Sequence, residues 1–180
     1  MKKVLIFTLL TIITGVAAAQ DAQDEATKFE QFASKTGVII KFIDYSLPDL
    51  RLTYGVAETK IRKLISGGQI GYFYQISYEG DYDTKTASIA YVDLKEILKA
   101  VESLSSEYAD DVSSKPDYLE SKFVTEDGFQ VGYYVSGSSA SWYLVLEKYG
   151  SGNTIFMRNV STIENAFSEA ARRIEELSGQ

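Results

Sequence analysis

The sequence predicts an α+β fold: an antiparallel sheet from two β-meander-plus-helix repeats, pseudo-twofold, with the helices packed on one face. Three observations carry this. Residues 60–80 recur without a gap when the chain is shifted by seventy positions, placing Ile61 on Val131, Ile65 on Val135, Ser66-Gly67 on Ser136-Gly137, Tyr72 on Trp142 and Ile76 on Leu146. Segments of period-two patterning alternate with glycine-bearing turns, which is how half-buried antiparallel strands read. Two later segments carry apolar residues at three- and four-residue steps, the stripe of an amphipathic helix.

Taken in order, residues 1–19 read as an export signal: Lys2 and Lys3 form the basic end, Val4 to Ile13 the apolar run, and Ala17-Ala18-Ala19 the small-residue cleavage site. The working chain is then residues 20–180, about the size of one domain. A short helix is expected over residues 24–35, with Phe29, Phe32 and Ala33 inward and Gly37 as its stop. The first copy, residues 38–104, opens on a strand over 38–45, a break at Pro48 and a strand over 52–56. The Ser66-Gly67-Gly68 turn precedes a strand in which Ile70, Tyr72, Tyr74 and Ile76 share a face.

After a loop two residues longer in the first copy the shift becomes sixty-eight, so Ile89 meets Met157. Asp93 and Ser161 then stand as N-caps, each followed three positions later by Glu96 or Glu164, the spacing of a capping box. The first long helix shows Leu94, Ile97, Leu98, Val101, Leu104 and Tyr108 on one stripe. The last shows Ile163, Phe167, Ala170, Ile174 and Leu177. Residues 105–118, rich in Ser and Asp and holding Pro116, read as the linker between copies. The second copy, residues 119–177, is expected to hold strands over 121–126, 129–136, 141–149 and 153–160 before its helix.

Composition narrows the chemistry. The chain has no histidine and no cysteine, so triads built on His or Cys, zinc sites built on them and disulfides are all excluded. No serine sits in Ser-x-x-Lys, and Gly137-Ser138-Ser139-Ala140-Ser141 lacks the closing glycine of a hydrolase elbow. No catalytic residue, metal ligand or cofactor is assigned. Glu79, Asp81 and Asp83 alternate around Gly80, yet they fall short of the six to eight oxygens that calcium takes. Loss of Lys2 and Lys3 from 18 basic residues leaves 16 against 25 acidic, a formal charge of −9. That balance repels nucleic acid and anionic lipid, and no local basic patch shows in the sequence.

What remains distinctive is aromatic content, with 13 tyrosines. Tyrosine offers a ring that stacks and a hydroxyl that bonds, which suits sugar and protein contacts. Tyr72 and Tyr74 align with core positions of the second copy. By contrast, alternation sets Phe73 and Tyr143 opposite the core face; with Tyr134 and Tyr149 they are the candidate ligand-binding residues.

The passage Phe29-Glu30-Gln31-Phe32-Ala33-Ser34-Lys35-Thr36-Gly37-Val38, between signal and first strand, resembles that of small exported bacterial α+β domains of unknown function. The resemblance implies the layout and no activity. The expected function is an exported, non-enzymatic binding or interaction domain using an aromatic-rich sheet face, periplasmic or secreted. Its partners would be an envelope glycan, a protein or a second copy, with no nucleic acid and no membrane span. The alternative is a His-free, carboxylate-dependent hydrolase or lyase acting on envelope polysaccharide, which requires two acids at a set separation.

Overall fold

The computed structural model describes residues 26–80 and 82–179; the expected signal lies outside them. Among the described residues, eight antiparallel strands and three helices make an α+β fold in which each half is a four-stranded meander followed by a long helix. The first half comprises α1 (Lys28–Ala33), β1 (Ile40–Arg51), β2 (Val56–Ser66), β3 (Gln69–Glu79), β4 (Thr84–Ala90) and α2 (Tyr91–Ser114). The second comprises β5 (Leu119–Val124), β6 (Gln130–Ser136), β7 (Ser139–Val145), β8 (Thr154–Met157) and α3 (Val160–Ser178). The strands pair in sequence order within each half, forming two four-stranded sheets where one sheet was expected.

The duplication is visible in the strand register. Ile61 pairs with Tyr74 and Ile65 with Ile70, while Val131 pairs with Leu144 and Val135 with Ala140, each pair displaced by the seventy positions read from the sequence. Both hairpins turn in two residues, with positive φ at Gly67 and Gly68 and at Gly137, the geometry that a right-twisted ribbon needs. The correspondence then drifts, because Tyr74 faces Ile89 across β4 but Leu144 faces Ile155 across β8. Ile155, not Met157, is therefore the counterpart of Ile89.

Alternation delivers one core. Ile61, Tyr74, Ile76 and Ile89 from the first sheet meet Val131, Tyr133, Trp142, Leu144 and Met157 from the second, with the stripes of α2 and α3 between them. Every core position expected on those stripes is buried or packed against the core. The ring of Phe167 on α3 joins the halves, edge-on to Tyr74 of the first sheet at 5.2 Å and tilted against Phe129 of the β5–β6 turn at 6.1 Å. The two long helices thus share one side of the strands, as expected. The short α1 lies on the opposite face of the first sheet, where Phe29, Phe32 and Ala33 cover Leu64, Phe73 and Ala90.

Several local expectations give way to tertiary contacts. Pro48 does not end β1. The strand runs to Arg51 with a register shift between Leu47 and Leu50, and an edge strand tolerates proline at such a bulge because the missing N–H has no partner to lose. Residues 52–55 form the β1–β2 turn, so the strand expected over 52–56 is absent. Most of the expected linker is helix: α2 continues to Ser114, ends at Lys115 in the left-handed region, and Pro116 follows. Its last turns hold because Tyr108 packs against Tyr133 and Trp142, and Asp111 accepts a hydrogen bond from the Tyr133 hydroxyl. Ser106, Ser113 and Ser114 turn their hydroxyls back onto helix carbonyls three residues earlier, so they do not interrupt it.

Both long helices also start before the expected capping boxes, at Tyr91 and Val160, and neither has a side-chain cap. Among the described residues a capping box stands instead at α1, where Thr27 and Glu30 satisfy each other's backbone donors. Asp93, freed from capping, turns to a different partner.

Candidate functional site

Lys28, at the first position of α1, reaches into a ring of three carboxylates. Its ammonium lies 3.3 Å from Asp93, 3.0 Å from Glu126 and 3.4 Å from Asp127, and its backbone N–H donates to Asp127 at 3.1 Å. This one cation ties α1 to the start of α2 and to the β5–β6 turn. Burial works against the charge on Lys28, but the carboxylates outweigh it and hold the group protonated beyond its ordinary range. Burial also dominates at Asp93 and raises its carboxyl despite the attraction of Lys28. The two shifts differ in character because Asp93 is almost fully enclosed, whereas Lys28 keeps contact with water.

Beside this ring lies a cleft of about 1000 Å³, bounded by α1, the outer face of the first sheet and the β5–β6 and β7–β8 loops. Its charges already have partners. Arg62 makes a bidentate pair with Asp44 at 2.7 and 2.6 Å, which pulls the Asp44 carboxyl down to about 2. Glu147 accepts from the Thr86 N–H at 3.2 Å and faces Lys85 at 3.3 Å, and Lys85 also meets Asp83 at 3.0 Å. Gln75 donates to Ser88 at 2.8 Å.

The outer face of the second sheet differs. Its register sets Glu120, Tyr134 and Ser141 in one row and Lys122, Gly132, Tyr143 and Phe156 in the next. These side chains point away from α2 and α3 with no described helix over them, although Tyr143 itself is buried beneath its neighbours at 5 % exposure. Tyr134 and Phe156 stand edge to face at 6.4 Å beside a hollow of about 440 Å³ that Tyr118, Glu120 and Lys122 also line. Tyr143 lies down across the middle strand and donates its hydroxyl to Glu120. That bond holds the Glu120 carboxyl below its usual range, while burial and the adjacent carboxylate push the Tyr143 hydroxyl up.

Gly132 makes this floor possible. A Cβ there would stand 2.4 Å from the Ser121 carbonyl oxygen and 2.7 Å from the Lys122 Cβ, so neighbouring backbone leaves no room for it. We expect Gly132→Ala to destabilise the protein by roughly 2 kcal/mol or more, read as a fall in the urea midpoint at constant m. A midpoint matching wild type would show that the strands separate to admit a methyl.

The four residues expected to bind a ligand do not form one site. Tyr134 and Tyr143 are together on the outer face of the second sheet. Phe73 does lie opposite the core, but at 2 % exposure it is sealed beneath α1 against Phe29 and Phe32. Tyr149 is 61 % exposed on the β7–β8 loop and borders the polar cleft. The floor also includes Tyr118, Glu120, Lys122 and Phe156. Alternation between Ile155 and Met157 along the last strand signals Phe156, whereas Glu120 and Lys122 need the β5–β6 register, which starts two residues before the strand expected there. Of the acids considered for calcium, Asp83 pairs with Lys85 and Asp81 lies outside the described residues. Comparison with protein-family models, characterised proteins and solved structures gives no match.

Proposed function

We propose that this protein is an exported, non-catalytic binding domain whose recognition surface is the outer face of the second sheet, and that its ligand is a saccharide of the cell envelope. The observation that carries this reading is the outward-facing pair of Tyr134 and Phe156 beside the exposed Tyr118, floored by the buried ring of Tyr143, with a carboxylate and an ammonium at its edge. Sugar rings present C–H faces that stack on aromatic planes and hydroxyls that bond to groups such as Glu120 and Lys122. The polar cleft supports this reading less well, because its charged groups are satisfied among themselves.

Polysaccharide cleavage calls for two carboxyls acting on one open site. The buried carboxyl with a raised pKa, Asp93, is bridged to Asp127 by Lys28 and does not border the cleft. Its observed work is to fasten α1.

The test is a thermal-shift screen against peptidoglycan fragments and other envelope oligosaccharides, run on wild type and Phe156→Ala. Ligand at about 100 times its dissociation constant adds roughly 2.7 kcal/mol of stability. The reading expects a rise with one saccharide class that Phe156→Ala loses while its own unliganded midpoint stays within about 1 kcal/mol of wild type, as suits an exposed ring. A rise that survives Phe156→Ala, or no rise with any saccharide, overturns it.

A further inference from the structure

The far end of the first sheet, where β1 begins and β2 turns into β3, departs from the acidic character of the chain. Residues 34–43 and 59–78 hold five basic side chains, Lys35, Lys41, Lys60, Arg62 and Lys63, and no acidic one, in a chain with 25 acids against 18 bases. The sequence scatters these residues over two segments; the β1–β2 ladder, with Ile40 opposite Ser66 and Lys41 opposite Ile65, gathers them. Lys60 and Arg62 are engaged by Asp44. Lys35, Lys41 and Lys63 have no carboxylate within ion-pair distance among the described residues. Lys35 lies over Phe32 and bonds Gln69, while Lys63 lies over Tyr72.

The same tip exposes apolar side chains that nothing in the fold requires. Ile39 is 90 % exposed, Ile70 52 %, Phe42 48 % and Val38 42 %. Strand ends commonly carry polar residues; here isoleucines project beside lysines. Apolar side chains that project past a ring of ammonium groups match the layering of a membrane interface, where acyl chains lie beneath anionic headgroups.

We infer that this tip docks on the surface of a bilayer containing anionic lipid, with Ile39 and Ile70 entering the headgroup boundary and Lys35, Lys41 and Lys63 meeting phosphates. Charge complementarity selects this partner: the net negative charge of the chain opposes such a surface, while the tip's unpaired lysines attract it and so orient the molecule tip-first. No basic patch shows in the sequence because strand pairing assembles it. The inference is independent of the saccharide face, which belongs to the other sheet.

The chain has no cysteine, so a single engineered thiol can carry an environment-sensitive fluorophore. Labelled Ile39→Cys and Ile70→Cys proteins are mixed with phosphatidylglycerol–phosphatidylcholine vesicles, with Tyr54→Cys as control. Tyr54 is exposed in the β1–β2 turn at the opposite end of the ladder. Every sample carries the same N-terminal segment, so position-dependent differences report the tip.

The expected result is a blue shift at 39 and 70, none at 54, weakened by added salt. Apparent affinity should fall about twenty-five-fold in a Lys41→Gln, Lys63→Gln background, since each lysine at an anionic surface contributes about fivefold. Three results would overturn the inference: labels at 39 and 70 that stay in water, equal shifts with phosphatidylcholine alone, or affinity untouched by the lysine changes. A shift with soluble polyglutamate but not with vesicles would also overturn it, assigning the tip to an acidic protein.

Discussion

Phe167→Ala is expected to lower stability by about 3–5 kcal/mol, the usual cost of emptying a fully buried phenylalanine site. The site is enclosed on all sides, with Tyr74 from the first sheet and Phe129 from the β5–β6 turn of the second half both leaning on the ring. Tyr74 cannot collapse into the space without leaving its strand, and Phe129 is held in the β5–β6 turn by paired hydrogen bonds with Thr125, so the cavity term should approach its full size. Because one ring serves both halves, they should lose stability together. The measurement is urea unfolding followed by far-ultraviolet circular dichroism and by the fluorescence of Trp142, the single tryptophan, which lies in the second half. Coincident transitions at a lower midpoint are the expected outcome. Two separated transitions would mean that the duplicated halves fold as independent units.

Lys28→Met should cost about 2–4 kcal/mol at neutral pH, since it keeps the apolar stem and removes the one charge shared by Asp93, Glu126 and Asp127. Most of that loss is the penalty of leaving the enclosed Asp93 without a counter-ion; Glu126 is well exposed and contributes little. Released from its tie, α1 should expose Phe73, seen as faster proteolysis between α1 and β1 with the rest of the domain intact. The deficit should shrink in acid. The raised carboxyl of Asp93 means that the folded protein binds its proton more readily than the unfolded chain, so stability from this group rises as pH falls through its folded pKa. Asp44 and Glu120 act in the opposite sense. Their depressed carboxyls stabilise the fold above their unfolded values, and for Asp44 that support is lost as pH falls from 3.8 to about 2. A Lys28→Met deficit that stays constant down to the onset of acid unfolding would show that Asp93 carries no unpaired charge. Asp93→Asn, which removes the buried charge and leaves Lys28 with two carboxylates, should be neutral or slightly stabilising at neutral pH.

Much of the fold is legible in the chain because it is local. Strand and helix periods depend on which side of an element is buried, so alternation around Tyr74 and Trp142 and the stripes through Ile97 and Phe167 identify those elements and their inner faces. The two-residue turns at Gly67-Gly68 and Gly137-Ser138 set the hairpin registers, which is why the seventy-residue repeat survives as paired positions. Where local signals compete with distant ones, the distant ones prevail. Residues 105–114 look like a linker by composition yet remain helical, because Tyr108 and Asp111 find partners on β6 and β7. Asp93 looks like a cap yet pairs with a lysine sixty-five positions earlier in the chain.

The candidate site divides in the same way. That Tyr143 and Phe73 face away from the core follows from alternation alone, a property of each strand by itself. Whether that outward face is open depends on what else lies against it: α1 closes the first sheet over Phe73, and no described element closes the second over Tyr134 and Phe156. The basic tip likewise exists only once β1 and β2 pair. The sequence by itself determined the element types, the inward faces, the duplication and the absence of histidine and cysteine chemistry, since each is written in near neighbours or in composition. The tertiary structure alone decided the division into two sheets, the surfaces left uncovered and the charges left without counter-ions. Those depend on contacts between residues far apart in the chain, whose energies no short window of sequence contains.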